Sequence, residues 1–269
     1  MKRSFWRVLL IGFLGLSLVA LAGCGSQGSA LDTIKKRGKL IAGVKADVIG
    51  FGYKNPDTGQ FEGLEIDIVK AIAKKILGDE NAVEFVPVTA KTRTGLLNNG
   101  EIDLVAATFT VTEERKKEVD FSPVYYEDGI QLLVMKDSGI LSLADMNGKT
   151  IGVAKGADTG ERLMQKAKDL GITIQTAEFE TYPEILAALR AGRVDAFATD
   201  GSILKSYQVQ DPNTVLLPEK YSSEPYAIAT KKGNDDLRQV VAQVVEELIQ
   251  SGEMDQLIQK HGLSGGIDK

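Results

Sequence analysis

The chain is 269 residues long and sets 37 acidic against 32 basic side chains, a formal charge of −5 that argues against nucleic acid as a partner. Its one cysteine, Cys24, rules out an internal disulfide. With one histidine, His261, and no spare thiol, the usual Cys/His and Ser/His nucleophile–base pairs cannot be assembled, and neither a glycine-rich phosphate loop nor a His/Cys metal spacing occurs.

Lys2, Arg3 and Arg7 precede an apolar run over residues 8–20, closed by Leu21-Ala22-Gly23-Cys24. A positive start, about a dozen apolar residues and a small-residue site make a secretory signal, too short for a lasting membrane span. Removing residues 1–23 takes away three positive charges and no negative ones, so the exported body is expected to carry −8. Leu-Ala-Gly-Cys is similar to the bacterial lipobox, which implies cleavage before Cys24 and a diacylglycerol on its thiol. Residues 24–30 then read as a lipidated cysteine and a polar, flexible tether, which places the body outside the cytoplasm on the outer face of the cytoplasmic membrane.

The body opens on a short helix ending near Gly38 and an apolar strand over residues 39–44. Gly50 to Tyr53 and Asn55-Pro56-Asp57-Thr58-Gly59 have loop and turn chemistry. Gly63-Leu64-Glu65-Ile66-Asp67 leads into an amphipathic helix with Ile68, Ile72 and Ile76 in register. A strand over 83–88, a helix from Lys91-Thr92-Arg93 to Asn98-Asn99-Gly100 and a strand over 102–107 follow. This alternation predicts an α/β fold built on mainly parallel pairings.

Residues 107–115, Ala-Thr-Phe-Thr-Val-Thr-Glu-Glu-Arg, bring strand, polar turn and helix start together within a few residues. Free backbone N–H groups and hydroxyls can face a carboxylate there, while Arg115 offers a planar fork of donors. Thr112, followed by Glu113 and Glu114, also reads as an N-cap, and the same residues suit a solvated helix start with no ligand.

Two stretches of the second half echo the first. Gly148-Lys149-Thr150-Ile151-Gly152-Val153 echoes Gly38 to Val44, and Leu189 to Asp195 echoes Leu97 to Asp103. Taken as real, the echoes indicate two lobes of related architecture with a cleft between them, where a small ligand would bind. A strand over 226–229 and helices over 237–248 and 254–261 complete the chain, the last placing His261 near a helix end.

The chain resembles the family 3 extracellular solute-binding proteins, the polar amino-acid receptors of bacterial ABC importers. The motifs that carry the resemblance are Gly63 to Ile68, Thr110 to Lys117, Val119-Asp120-Phe121-Ser122-Pro123 with Tyr125-Tyr126, Leu143 to Lys149, and Val194-Asp195-Ala196-Phe197 ending at Asp200. It implies a two-lobed periplasmic-binding-protein fold of type II, with two hinge strands and the ligand in the interlobe cleft. The expected division is lobe 1 over 31–124 and 226–269, lobe 2 over 130–220, and a hinge at 125–129 and 221–225.

The resemblance also implies roles. Arg115 and Thr110, with backbone groups near Ala107 and Thr108, would bind the ligand's α-carboxylate, and Asp200 its α-ammonium. Lys45 and Arg93 match positions that receive a second carboxylate in the aspartate/glutamate branch, with Tyr182 contributing from the other lobe. An acidic amino acid is therefore the expected ligand and glutamine the alternative. Thr159 or its backbone would also bind, and Asp158 is expected to turn away and cap the following helix. Phe51 lies near the loop that covers the ligand, or in the core. The expected partners are the ligand, the permease and ATPase subunits, and the membrane through Cys24; no cofactor, metal or nucleic acid is expected, and the receptor is expected to act as a monomer. A dehydratase on related lobes and an adhesin are the alternatives from other classes.

Overall fold

A computed structural model describes residues 29–264; the signal, Cys24, the tether up to residue 28 and residues 265–269 lie outside the described residues. The tether ends sooner than expected. Ser29 Oγ accepts the Asp32 N–H at 3.1 Å and caps the helix Ala30–Arg37. The Leu31 N–H donates to Asp236 Oδ2 at 2.9 Å, tying this helix to the helix Asp235–Ser251.

Two five-stranded sheets frame the molecule. The first has the order Val83–Pro87, Leu40–Val44, Leu104–Ala106, Ala229–Lys231, Val119–Phe121. The second has the order Gln175–Phe179, Thr150–Ala154, Ala196–Asp200, Ile130–Met135, Thr214–Leu216. In both, the first three strands are parallel and the fourth runs antiparallel to its neighbours. One topology is used twice, and the fold is α/β in two lobes.

The sequence echoes fall on equivalent atoms of these lobes. The Ile41 N–H donates to Asp103 Oδ2 at 2.7 Å while the Asp103 N–H donates to Ile41 O at 2.8 Å. In the second lobe the Thr150 N–H donates to Asp195 Oδ2 at 2.9 Å while the Asp195 N–H donates to Thr150 O at 2.8 Å. Each aspartate locks the start of its lobe's inner parallel strand to the turn that leads into the next one.

The lobes are linked by Tyr126–Asp128 and Glu224–Tyr226, which pair antiparallel. The strand expected over 226–229 is therefore split, because Tyr226 ends a crossing strand and Ala229 opens a first-sheet strand. Tyr226 stacks on Tyr126 with 5.8 Å between ring centroids, and both rings meet Phe51 edge-on. Phe51 is thus a core residue under the crossing. The loop expected around it holds a small antiparallel sheet of Asp47–Val48, Gly52–Lys54 and Phe61–Glu62. Strands of two or three residues are too short to show an alternation in sequence.

The helix Leu64–Leu77 buries Ile68 and Ile72 as its spacing requires. Each such side chain contributes about 1.5–3 kcal/mol by leaving water. The final helices run Asp235–Ser251 and Glu253–Lys260, and His261 at the end of the second faces Asp67, Nε2 to Oδ2 at 2.7 Å. It is half-withdrawn into a contact with the first lobe's helix.

Candidate functional site

The candidate ligand-binding residues lie at or just past the carboxyl ends of parallel strands. Lys45 follows Leu40–Val44, Arg93 opens the helix after Val83–Pro87, and residues 107–115 follow Leu104–Ala106. In the second lobe Asp158 and Thr159 follow Thr150–Ala154, Tyr182 follows Gln175–Phe179, and Asp200 ends Ala196–Asp200. Open α/β sheets bind ligands at this end, where strand termini and helix N-termini converge.

Contacts across the lobes bring these residues together. Lys45 Nζ stands 4.4 Å from the centroid of the Tyr182 ring and 3.3 Å from Asp47 Oδ1. The Tyr207 hydroxyl donates to Asp47 O at 2.8 Å, and Arg115 Nη2 donates to Asp158 Oδ1 at 3.2 Å. The Tyr226 hydroxyl, on a crossing strand, donates to Asp200.

Lys45 and Arg93 are not surface cations: each is 4% exposed. Arg93 Nη1 donates to Ala107 O at 2.6 Å and Thr108 O at 3.2 Å, and its guanidinium lies 3.9 Å from the Phe109 centroid. Arg115 sits 5.0 Å from the same ring and donates Nη1 to Thr110 O at 2.8 Å. Burial, then the like charge of Arg115, brings the Arg93 guanidinium down to about 10. Burial also pulls the Lys45 ammonium below its ordinary value, against the attraction of Asp47.

Asp200 shows the opposite imbalance. Burial, then the charges of Asp128 and Glu224, hold its carboxyl well above the usual carboxylate range. Among the described residues no lysine or arginine pairs with it, so an ammonium is the group its surroundings call for.

Asp158 departs from expectation. Its side chain caps nothing; Oδ1 takes Arg115 and Oδ2 takes Arg162 Nε at 2.7 Å. Burial acts to raise its carboxyl, and the two guanidinium groups outweigh that and hold it below the ordinary value. Two cations on one carboxylate are worth more than a single backbone N–H, which is why the cap is not made. Thr159, the first residue of the helix behind it, is buried. Thr112 Oγ1 accepts the Arg115 N–H at 3.2 Å just ahead of the short helix Arg115–Glu118, whose N-cap position is held by Glu114.

Glu65 is the site residue the sequence reading passed over as an acid at a helix start. It is fully buried, Oε1 accepting the Thr108 N–H at 2.5 Å and the Tyr125 hydroxyl. Burial raises its carboxyl to about 7, against the hydrogen bonds from Tyr125 and Thr108. Glu65 Oε2 and Arg93 Nε are both buried without a hydrogen-bond partner. The signal was spacing: Glu65, Ile68 and Ile72 share the buried face of one helix.

A groove of about 1150 Å³ opens beside Arg115 and Asp158, lined also by Arg162, Tyr221 and Ser222. Lys45, Arg93 and Asp200 do not line it; they are buried between the lobes.

Residues 40–264 match the bacterial extracellular solute-binding proteins, family 3. The chain is 46% identical to the glutamine-binding protein of Geobacillus stearothermophilus over 252 residues, 86% of this chain and 95% of the relative. It is 40% identical to the ABC transporter glutamine-binding protein GlnH of Bacillus subtilis (strain 168), over 97% of both chains. Among solved structures it is similar to a cysteine-binding protein from Campylobacter jejuni, with a TM-score of 0.80 and 31% identity over 87% of this chain and 92% of that one. These relatives are receptors rather than enzymes, and the chain belongs to the bacterial extracellular solute-binding proteins, family 3, as a binding component of an amino-acid ABC importer.

Proposed function

We propose that this receptor captures glutamine between its lobes and delivers it to the permease and ATPase subunits of its importer. The observation that carries the choice is the engagement of the two deep cations. Lys45 is paired with Asp47, and Arg93 Nη1 is spent on two carbonyls. A second ligand carboxylate would enter a site that already holds the carboxylates of Asp47 and Asp158, whereas a carboxamide brings one donor group and one acceptor without net charge. Both relatives at 46% and 40% identity are named for glutamine. At the backbone end of the ligand, Arg115 and Thr110 take the α-carboxylate and Asp200 the α-ammonium. The Thr108 and Thr159 hydroxyls add to it, the Thr108 N–H and the Ala107 and Thr108 carbonyls being held by Glu65 and Arg93, and Tyr182 closes over the side chain beside Lys45.

The burial of Lys45 and Arg93 favours a second reading, an acidic amino acid. In either, the paired strands Tyr126–Asp128 and Glu224–Tyr226 act as the hinge between the two lobes, and a lipid on Cys24 holds a monomeric body at the outer face of the cytoplasmic membrane. Thermal shift of ligand-stripped residues 26–269 against single amino acids tests the choice. Ligand at a hundred times its Kd stabilises by about 2.7 kcal/mol. Glutamine is expected to raise the transition most; a larger rise with glutamate selects the second reading, and no rise with any amino acid refutes both.

A further inference from the structure

The start of the helix Leu64–Leu77 is fixed with unusual closeness to the chain below it. The Glu65 N–H donates to Phe51 O at 3.0 Å, and at Gly63, with φ 132°, a Cβ would stand 2.1 Å from that same oxygen. Only glycine admits this approach, so the Glu65 side chain is delivered inward from a rigid base.

Its target is Thr108. Among the described residues Thr108 alone is a non-glycine with positive φ, 43°. A threonine in that region is disfavoured by about tenfold to hundredfold, and such residues persist where surrounding bonds over-determine them. Those bonds are present: Glu65 Oε1 accepts the Thr108 N–H at 2.5 Å, and Arg93 Nη1 holds the carbonyls of Ala107 and Thr108. An acid grips the turn by its N–H and a base grips it by its carbonyls. Immediately downstream come Thr110 and Arg115, whose own fork is set on Thr110 O.

We propose that Glu65 is a positioning residue of the binding site: by holding the Thr108 N–H it maintains the left-handed turn from which Thr110 and Arg115 are presented to the ligand's carboxylate. This rests on the glutamine-receptor reading above, which the wild-type titration tests by itself. Tyr125, Arg93, Lys45 and the Thr108 backbone are the groups that face the Glu65 carboxyl.

The test is a double-mutant cycle on glutamine Kd, measured by calorimetry for wild type, Glu65→Ala, Glu65→Gln, Thr108→Gly and the Glu65→Ala/Thr108→Gly pair. Glu65→Ala is expected to weaken binding about tenfold to hundredfold, the population cost of the released turn. Glu65→Gln keeps an oxygen for the Thr108 N–H and is expected within about threefold of wild type. In the Thr108→Gly background the same Ala change is expected to cost less than about threefold, because glycine occupies the turn unaided. An Ala variant that binds like wild type, an equal cost in both backgrounds, or a Gln variant as weak as Ala overturns the proposal. If Glu65→Ala does not fold, Glu65→Asp, which keeps the charge but retracts the oxygen by one methylene, takes its place with the same expected loss and rescue. A wild type that ignores glutamine overturns the glutamine reading alone, and the cycle is then run with the amino acid that binds; a wild type that binds none overturns both.

Discussion

Arg115 and Asp158 meet from opposite lobes, Nη2 to Oδ1 at 3.2 Å, and the second oxygen of Asp158 takes Arg162 Nε at 2.7 Å. Arg115 Nη1 meanwhile holds Thr110 O on its own lobe. The guanidinium expected to receive the ligand's α-carboxylate is therefore oriented by both lobes at once, so binding and closure share one side chain.

Replacing Arg115 by Ala is expected to weaken glutamine binding by roughly 2–5 kcal/mol, the usual cost of leaving a buried charge without its partner. Arg115→Lys should recover little of it, since a point charge cannot serve Thr110 O, Asp158 and a carboxylate in one plane. Calorimetric titration of both variants checks this; binding within a few-fold of wild type would remove Arg115 from the site.

In the proposed complex Lys45 and Arg93 govern the ligand's far end. Lys45→Met is expected to reduce glutamate affinity at least about tenfold more than glutamine affinity, because only the ionised side chain gains from a buried ammonium. The measurement is the ratio of the two Kd values in wild type and variant. An unchanged ratio would put Lys45 outside the side-chain pocket.

Asp200 predicts a pH dependence. Its carboxyl, raised first by burial and then by Asp128 and Glu224, holds a proton in the free receptor above the ordinary aspartate range. A ligand ammonium stabilises the ionised form, so binding expels that proton and affinity rises as pH rises, up to the raised free-state value. Calorimetry in buffers of different ionisation enthalpy should register proton release, and Asp200→Asn should abolish it while weakening binding.

Gly156 marks how tightly the lobes close. Its φ is 79°, and a Cβ there would lie 2.7 Å from Lys91 Cα on the other lobe, beside the Lys91–Glu180 pair at 3.2 Å. Gly156→Ala is expected to weaken binding by about 1–3 kcal/mol through strain and obstructed closure, with each lobe still folded. Small-angle scattering should show wild type contracting on saturation with glutamine and the variant contracting less.

Glu65 should tilt the stability of the ligand-free receptor with pH. Its carboxyl is raised to about 7 by burial, so the folded state holds a proton that the unfolded chain loses at the ordinary value of 4.5. That contribution is complete below the unfolded value and is lost as pH rises toward 7, with a slope of at most about 1.4 kcal/mol per pH unit. Glu65→Gln should flatten this part of the profile in thermal denaturation; an unchanged slope would assign it to other groups.

The architecture was legible where punctuation was strong. Gly38, Gly100 and Gly148 border apolar runs, and those runs are the parallel strands of the two sheets. The candidate residues were legible for the same reason, because they fall in the polar segments that follow strand ends. What escaped was partnership at long range. Asp158 looked like a local cap since nothing in its neighbourhood announces Arg115, 43 positions away. Glu65 looked like a helix-start acid, and its partner Thr108 is also 43 positions away. Arg93 stood out as a cation, yet its attachment to the carbonyls of Ala107 and Thr108 depends on how a helix start packs against a neighbouring strand end.

The proposed cleft binds glutamine in preference to its acidic counterparts. Titrating ligand-stripped residues 26–269 with glutamine, glutamate and aspartate by calorimetry tests it most directly. One site per chain and a glutamine Kd at least about tenfold below that of glutamate are expected, a difference of about 1.4 kcal/mol. A glutamate or aspartate Kd equal to or below that of glutamine would contradict it and return Lys45 and Arg93 to the role of carboxylate receptors.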